Sequence, residues 1–276
     1  MRKPPTFGSS RSDASDGVPA GKQYEMTSFG TEGRSEQNGQ TATRTRMDGI
    51  PVNHFVARSG VLRGLLPPEV ATAELHGIGS EAWLLRAEEV SVLRAVPKRR
   101  REFAAGRSCA HDALRQLQIK HSPLPSRSDR TPAWPPSVVG SITHTSGYAA
   151  AAVALKYHIL AIGIDAERTG AVAPDLYERI CTRRELDWLE SLTPDLQAVM
   201  ATVIFSAKEA FYKFQYALGE KWLDFHDVEL EVGTNSFEIR CAKCGPVLAK
   251  SPVGQFRIES GLVVSGIYHR KLAGCE

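Results

Sequence analysis

The residues best suited to chemistry in this sequence are three carboxylates and two lysines in two short motifs. Asp165 and Glu167 stand two positions apart at the end of an apolar run, and side chains two apart on a strand point to the same face. Glu209 and Lys213 are four apart, so they share one helix face, with Lys208 beside them. Taken alone, the first motif is more typical of a polar strand edge and the second of a helix-stabilising ion pair. A shared role therefore depends on whether the fold brings the two motifs together.

Basic residues form a second group. Arg99 and Arg107 lie eight apart, slightly more than two helical turns, so both can project toward one anion from neighbouring sides of a helix. The run of three arginines leaves Arg100 as an alternative to Arg99 in that position. His144 ends an apolar stretch that follows a polar loop. Taken singly, these residues are more typical of a solvated helix face and of a structural histidine.

Composition describes an ordinary globular chain. The 276 residues, 42% of them hydrophobic and 24% charged, are enough to bury one or two cores. The net charge of +3 is too small to indicate nucleic-acid binding by itself, and no apolar run approaches the roughly 18 residues of a membrane-spanning helix. The first 46 residues lack the apolar core of a secretion signal. We therefore expect a cytoplasmic protein.

Cysteine spacing and motif searches exclude several kinds of site. Five cysteines form an odd, sparse set, which predicts reduced thiols rather than a disulfide framework. Cys241 and Cys244 have the spacing of half a zinc site, but no second pair with ligand spacing follows, so we expect no zinc. The sequence also contains no Walker loop, no G-x-G-x-x-G and no G-x-S-x-G.

The predicted elements begin after a polar tail. Residues 1–49 are almost without aliphatic side chains and are predicted to be disordered. A packed region starts near Ile50, and residues 61–68 look like a strand or a buried segment ended by a proline pair. Apolar residues at three- and four-residue intervals predict an amphipathic helix over 104–117, which the basic run 98–101 leads into.

The remaining elements are predicted to carry the acidic motifs. They are a polar loop over 126–136, an apolar element over 138–144, a hairpin of 148–155 and 159–164 joined by 156–158, and a helix from Thr193-Pro194 to Gly219, long enough to suggest a kink or break. Asp165 and Glu167 then lie at the end of the second hairpin strand, and Glu209 lies on the long helix.

In combination and in this order, the motifs resemble the Sfp-type 4′-phosphopantetheinyl transferases, most closely the branch typified by enterobactin synthase component D. The resemblance spans about Leu65 to Phe225. The motifs that carry it are R-x-x-E-F-x-x-G-R from Arg99, R-x-P-x-W-P from Arg130, G-S-I-T-H from Gly140, G-I-D-A-E from Gly163, F-S-A-K-E-A-F-Y-K from Phe205 and W-L-D-F from Trp222.

The resemblance implies an enzyme that moves the phosphopantetheine arm of coenzyme A to a serine of an acyl or peptidyl carrier protein, releases 3′,5′-ADP and requires Mg²⁺. It assigns Mg²⁺ to Asp165, Glu167 and Glu209, whose oxygens are ligands that this ion prefers. It gives catalytic roles to Glu209, as base, metal ligand or both, and to Lys213. The coenzyme A contacts that it implies are Arg99, Arg107, Arg130, Ser141, Thr143, His144, Asp165, Lys208 and Lys213.

The implied fold is α/β (α+β), with two similar subdomains in a pseudo-twofold arrangement and the active site in the cleft between them. We expect residues 50–161 to form the first subdomain and 162–276 the second. Because one chain then supplies both sides of the cleft, we expect a monomer, with coenzyme A and apo carrier proteins as partners and neither nucleic acid nor membrane.

Two other classes of function stay open on the sequence. A non-catalytic regulator that binds coenzyme A or a nucleotide would keep the arginines but is expected to have a damaged carboxylate set, and here all three are present. A nucleic-acid-binding protein would use residues 98–101 as a phosphate-contacting patch, but the sequence contains no recognised nucleic-acid module.

Overall fold

The structure is a computed structural model that describes residues 60–77, 83–120, 122–219, 222–241, 243–244 and 252–271. The predicted disordered tail over 1–49 lies outside the described residues. The described part is a mixture of helices and antiparallel sheets, which confirms the predicted α/β (α+β) class.

The first sheet has three antiparallel strands in the order β1-β3-β2. They are β1 (Ala71–His76), β2 (Val138–Thr145) and β3 (Tyr148–Leu155). Two helices come between β1 and β2 in the chain, α1 (Arg86–Glu89) and α2 (Pro97–Gln116). The apolar face of α2 packs on alternate residues of β3, including Ala149, Ala151 and Val153. The predicted helix over 104–117 and its basic approach are thus one continuous helix that begins at a proline, a residue whose fixed φ suits the first helical turn.

The second sheet has five antiparallel strands in the order β4-β8-β7-β6-β5. They are β4 (Ile159–Arg168), β5 (Glu229–Val232), β6 (Ser236–Arg240), β7 (Val253–Glu259) and β8 (Leu262–Arg270). Three helices connect β4 to β5, namely α3 (Tyr177–Ile180), α4 (Arg183–Glu190) and α5 (Pro194–Gly219). The last of these packs against β4 and β8. It is a single 26-residue helix, so of the predicted kink or break the break is wrong.

The predicted hairpin of 148–155 with 159–164 is also wrong. β3 has β1 on one edge and β2 on the other, so no edge is left for the strand that follows it. The chain turns at residues 156–158 into β4, which pairs with β8 about a hundred residues later. Residues 60–68 form turns with Val61, Leu62 and Leu65 buried, so of the two interpretations of this segment the buried one is confirmed.

Alternation along β4 decides which residues face α5. Ile162, Ile164 and Ala166 belong to a buried cluster that joins the two sheets. The opposite face carries Ala161, which packs in the cluster around α5, and Gly163, where an added Cβ would lie 1.9 Å from the carbonyl oxygen of Ala210. Asp165 and Glu167 continue this second face, as the spacing predicts, and therefore point toward α5.

Hydroxyl groups join the two sheets where their edge strands β2 and β4 meet, a contact we call the β2–β4 seam. The Ile164 N–H donates to Ser141 Oγ at 3.1 Å and the Ala166 N–H donates to Thr143 Oγ1 at 3.0 Å. Buried backbone donors need partners, and here side chains of the neighbouring sheet supply them in place of a further strand. This arrangement brings β2 and β4 side by side without merging their ladders.

Two further features concern the cysteines and the membrane. Cys241 and Cys244 form a disulfide, whereas Cys109 and Cys181 are free and buried. The prediction of reduced thiols is therefore wrong for this pair. Within the described ranges, none of the helices has the length and apolar character needed to cross a bilayer.

Candidate active site

Asp165 occupies the centre of the β2–β4 seam and is almost completely buried. Its Oδ1 accepts hydrogen bonds from Thr143 Oγ1 at 3.2 Å and from Lys213 Nζ at 2.7 Å. Its Oδ2 is buried and has no hydrogen-bond partner among the described residues. Buried polar atoms are nearly always paired, so the orphaned oxygen marks a position where a cation or a donor group fits.

Lys213 brings the helix motif to the strand motif. Its ammonium bonds Asp165 and the carbonyl oxygen of Ile164, at 2.7 and 3.1 Å, and its side chain stays about one-third exposed. Burial by itself would lower the pKa of Lys213, but the carboxylates of Asp165 and Glu209 outweigh this effect and raise it. Lys213 is therefore a charged group at the site rather than the partner of a simple helix-surface ion pair with Glu209.

The other two carboxyl groups hold their protons to unusually high pH. Burial, together with the charge of Asp165, raises the pKa of Glu167 to about 8 and that of Glu209 to about 7, although Lys213 opposes both shifts. Glu167 also accepts a hydrogen bond from Thr145 Oγ1 at 3.3 Å. Three acidic groups thus influence one another at one place, and a cation there would relieve their repulsion.

The donor set fits Mg²⁺, although the described residues do not hold a ready-made cage for it. Carboxylate oxygens are the ligands that Mg²⁺ prefers, and it commonly uses one or two of them and keeps waters. Within the described ranges, no three acidic, histidine or cysteine side chains converge closely enough to form a metal site by themselves. The unpartnered Oδ2 of Asp165 and the protonation-prone Glu167 and Glu209 are the groups that could hold the ion.

His144 lies beside this acidic centre, near the end of β2. Its Nε2 accepts a hydrogen bond from Arg99 Nη1 at 2.6 Å, and its Nδ1 lies 3.9 Å from a carboxylate oxygen of Glu102. Burial, with the nearby charges of Arg99 and Lys213, lowers the pKa of His144 to about 4. A neutral ring can accept from arginine, so the histidine orients Arg99, whose position is exposed.

Arg107 lies two turns further along α2 and is only 4% exposed. Its Nε donates to the carbonyl oxygen of Leu124 at 2.6 Å, and its Nη2 donates to Ser126 Oγ at 3.4 Å. Its guanidinium stacks on the Phe103 ring, 4.3 Å from the ring centroid. Burial lowers the pKa of Arg107 to about 10. Two of its five N–H groups are engaged in these bonds, which leaves others to meet an anion.

Arg130 lies in a loop that contacts α5. The residue is exposed and has a positive φ of 72°. Next to it, Asp129 accepts from both the amide and the hydroxyl of Thr131, and also from the hydroxyl of Tyr216 at 2.9 Å. The structure thus places Arg130 next to a contact between the first half of the chain and the helix that bears Glu209.

The structure contradicts the assignment of Lys208 as a side-chain contact to coenzyme A. Its side chain is fully buried, and its ammonium donates to Glu185 Oε2 and to the carbonyl oxygens of Ile180 and Phe225 at 2.7, 2.8 and 2.9 Å. These three acceptors use all three N–H groups of a lysine. Lys208 therefore holds the middle of α5 to the segments that contain its three acceptors, although it is next to Glu209 in sequence.

Ser141 and Thr143 differ from their prediction in a similar way. Both side chains are at least 95% buried, and their hydroxyl groups accept from the backbone of β4. As side-chain contacts to coenzyme A these two assignments are therefore wrong. Sequence reasoning also missed Thr145, which bonds Glu167; the recurrence of hydroxyl residues at 141, 143 and 145 on one strand face was the available signal.

Two family models match the chain. The first, described as the 4′-phosphopantetheinyl transferase N-terminal domain, matches residues 87–154. The second, described as the 4′-phosphopantetheinyl transferase superfamily, matches residues 161–250. The second match continues beyond Phe225, where the sequence resemblance was expected to end.

The match between this chain and two curated relatives extends over most of the relatives' length. The chain is 37% identical to 4′-phosphopantetheinyl transferase Svp of Streptomyces mobaraensis over 67% of this chain and 78% of that one. It is 31% identical to PptT of Mycobacterium tuberculosis over 76% of this chain and 96% of that one. Enterobactin synthase component D of Escherichia coli is 36% identical over a shorter region, 42% of this chain and 54% of the relative.

Solved structures give partial overlaps. Holo-ACP-synthase from Plasmodium yoelii overlaps 42% of this chain and 97% of its own, with a TM-score of 0.33 and 19% identity. A holo-(acyl-carrier-protein) synthase from Bacillus anthracis, in complex with CoA (3′,5′-ADP), overlaps 42% of this chain and 99% of its own, with a TM-score of 0.30 and 20% identity.

Proposed function

Because this chain belongs to the 4′-phosphopantetheinyl transferase superfamily, we propose that it transfers the phosphopantetheine arm of coenzyme A to a serine of an acyl or peptidyl carrier protein. The products are the modified carrier protein and 3′,5′-ADP. The observation that carries the proposal is the buried Asp165, held by Lys213 and Thr143 on one oxygen and unpartnered on the other, beside two carboxyl groups of raised pKa.

Glu209 is the general base in this proposal. A base is most effective when its pKa lies near the working pH, and the pKa of Glu209 is raised to about 7. Glu209 takes the proton of the carrier serine while the serine oxygen forms a bond to the β-phosphorus of coenzyme A. The phosphorus–oxygen bond to the leaving 3′,5′-ADP breaks in the same displacement.

Charge neutralisation supplies the rest of the rate gain, as is usual for transfers at phosphorus. Lys213 offsets the charge that develops on the pyrophosphate. Its ammonium carries a positive charge and is bonded to Asp165 at the centre of the site. Mg²⁺, bound by Asp165, Glu167 and Glu209, would act as a Lewis acid toward the pyrophosphate oxygens. Glu209 has two carboxylate oxygens, so one can hold the ion while the other takes the proton.

Arg99 and Arg107 bind the 3′-phosphate end of coenzyme A in this proposal, with Arg130 at the rim. Guanidinium groups can bind phosphate bidentately, and His144 orients Arg99 for that purpose. Since this phosphate is remote from the reacting atoms, the two arginines contribute equally to the ground and transition states. Their loss should raise KM for coenzyme A more than it lowers kcat.

Two similar subdomains that meet near residue 161 are also part of the proposal. The two family matches meet between residues 154 and 161, and the chain passes from the first sheet to the second in the same interval.

The proposed protein is a monomer. The contacts from Arg99 to His144 and from Lys213 to Asp165 are all made within one chain, which supports this oligomeric state. A cytoplasmic location completes the proposal.

Mass spectrometry of an apo carrier protein tests the function directly. Incubation with coenzyme A, Mg²⁺ and the protein should add one phosphopantetheine arm, and chelation of Mg²⁺ should stop the reaction. Glu209→Gln should remain folded and lose transfer, while Glu190→Gln, a change at an exposed position of α4, should transfer normally. Full activity of Glu209→Gln would eliminate the mechanism, and binding of coenzyme A without transfer to any carrier would favour a non-catalytic regulator.

A further inference from the structure

Glu88 is a buried carboxylate that the proposed reaction does not use. It lies on α1 and is wholly inaccessible to solvent. Its Oε2 accepts from the Leu85 N–H at 2.9 Å, and its Oε1 accepts from the Leu124 N–H and from His111 Nε2, both at 2.8 Å. A buried charge with this many partners is costly to assemble, which raises the question of what it supports.

Leu124 connects Glu88 to Arg107. The N–H of Leu124 donates to Glu88, and the carbonyl group of the same residue accepts from Arg107 Nε at 2.6 Å. Leu124 is itself fully buried, so the position of its backbone is fixed by these bonds and by packing. The shortest hydrogen bond that orients the Arg107 guanidinium is therefore made to a residue that Glu88 holds.

Charge links the same two side chains. Burial lowers the pKa of Arg107 and the charge of Arg99 adds to this effect, whereas the charge of Glu88 opposes it. A buried cation is stable only where an anion is close. Glu88 therefore lowers the cost of burying the guanidinium charge.

His111 completes the arrangement from the same face of α2. It lies one turn after Arg107, donates to Glu88 and stacks on Trp83 with ring centroids 5.7 Å apart and an interplanar angle of 4°. His111 and Leu124 bond one oxygen of Glu88, and the Leu85 N–H bonds the other. The carboxylate is thus held in one place relative to Arg107.

We propose that Glu88 is a positioning residue that acts through Leu124 on Arg107, so that the remaining N–H groups of the guanidinium meet the 3′-phosphate of coenzyme A. The inference rests on the proposed function, which gives Arg107 this phosphate as its ligand. Its distinguishing consequence is that loss of the Glu88 charge weakens recognition of the 3′-phosphate selectively.

Calorimetric titration of the full chain with coenzyme A and with 3′-dephospho-coenzyme A measures that selectivity as a ratio of two Kd values. Glu88→Gln keeps the size of the side chain and removes its charge. We expect it to reduce the preference for coenzyme A about tenfold, the order of one charge-assisted contact, with little change in Kd for the dephospho form. In an Arg107→Ala background, Glu88→Gln should have no further effect, because the residue through which it acts is gone.

Glu74→Gln is the matched control. Glu74 also accepts two backbone N–H groups, from Val61 and Leu62, and belongs to the same half of the chain. Its amide variant should lower the melting temperature without changing the ratio of Kd values. If Glu88→Gln fails to fold, Glu88→Asp, which shortens the reach by one methylene, should still reduce the ratio.

Three outcomes would overturn the inference. They are a folded Glu88→Gln or Glu88→Asp with the wild-type ratio, additive effects of Glu88→Gln and Arg107→Ala, and a wild-type protein with no preference for coenzyme A over its dephospho form. Failure of the proposed function is recognised separately, since a protein that shows the expected ratios but modifies no carrier is a binder rather than a transferase.

Discussion

Two lysines five residues apart on α5 have opposite tasks. Lys208 is enclosed and bonds Glu185 and two carbonyl oxygens, whereas Lys213 is partly exposed and bonds Asp165 at the β2–β4 seam. Five residues correspond to 500° of helix rotation, which places the two side chains on well-separated faces. The difference between an anchor and a reactive-site cation is therefore a matter of helix phase.

Replacing the two lysines should separate stability from activity. Lys208→Met leaves the buried charge of Glu185 without its partner, which should cost about 3–5 kcal/mol of unfolding free energy. Lys213→Met should lose carrier modification and lower the unfolding free energy less than Lys208→Met does, because the side chain of Lys213 is about one-third exposed whereas that of Lys208 is fully buried. Urea unfolding together with the transfer assay measures both quantities. A Lys208→Met protein of normal stability with a raised KM for coenzyme A would restore the original assignment of Lys208.

The raised pKa values of Glu167 and Glu209 predict a pH-dependent stability of the metal-free protein. Both groups bind protons in the folded state at pH values where the unfolded chain, with a pKa near 4.5, has lost them. Stability from these groups is therefore complete below about pH 4.5 and declines as pH rises toward 8. Glu167→Gln cannot ionise, so its melting temperature should match the wild type near pH 4.5 and exceed it increasingly up to about pH 8.

Melting curves recorded at several pH values, without and with Mg²⁺, check the predicted pH dependence of stability. The ion should stabilise the wild type more at pH 8 than at pH 6, because binding competes with protons. Glu190→Gln, an exposed change, should show no pH-dependent difference from the wild type. A constant difference between Glu167→Gln and wild type at all pH values would contradict the raised pKa of Glu167.

At the scale of elements, α5 and β4 form the site because a glycine lets them approach. Gly163 lies where a Cβ would stand 1.9 Å from the Ala210 carbonyl oxygen and 2.8 Å from Phe214 Cβ. The neighbouring β4 residues Asp165 and Glu167 and the neighbouring α5 residue Glu209 depend on this contact for their separation.

Gly163→Ala should therefore impair both stability and transfer. The added methyl group forces backbone to move, at a cost of about 1–3 kcal/mol for an overpacked core, and displaces Glu209 and Lys213 from Asp165. Melting temperature and kcat on an apo carrier measure the two effects. Gly254→Ala, whose Cβ would meet the Phe237 ring at 2.1 Å on a strand two places from β4, should lower stability alone. Unchanged kcat in folded Gly163→Ala would show that the site tolerates movement of α5.

The sequence predicted elements well where the pattern is local and poorly where it depends on distant partners. α2 and β2 were predicted because their apolar spacing identifies one buried face. β4 was assigned to the wrong partner because its true neighbour, β8, lies about a hundred residues away. The role of Lys208 was missed for the same reason, since the local motif does not contain Glu185.

At the scale of the whole molecule, the groups of the proposed site come from both sheets of one chain. Arg99, Arg107 and His144 belong to α2 and β2, whereas the carboxylates belong to β4 and α5. The predicted roles of Asp165, Glu167, Glu209 and the arginines stay predictions at this point, but their common location is a property of the fold. Residues before position 85 supply none of these groups.

Deletion of residues 1–49 should therefore leave carrier modification near its full rate. The segment has too few aliphatic residues to form a core, and its removal deletes none of the residues that the structure describes. Initial rates with two different apo carriers, compared with the full chain at equal concentration, provide the measurement. A folded truncation that modified neither carrier would show that the tail takes part in the reaction.

The β2–β4 seam has a mechanical consequence. Strands joined by a backbone ladder move as one body, whereas the hydrogen bonds across this joint come from the rotatable hydroxyl groups of Ser141, Thr143 and Thr145. A shift at the joint would strain those bonds and the apolar cluster packed between the sheets, while both ladders stay intact. The arginines lie on one side of the joint and the carboxylates on the other, so the distance between the two sets of charges is set by side-chain contacts rather than by a backbone ladder.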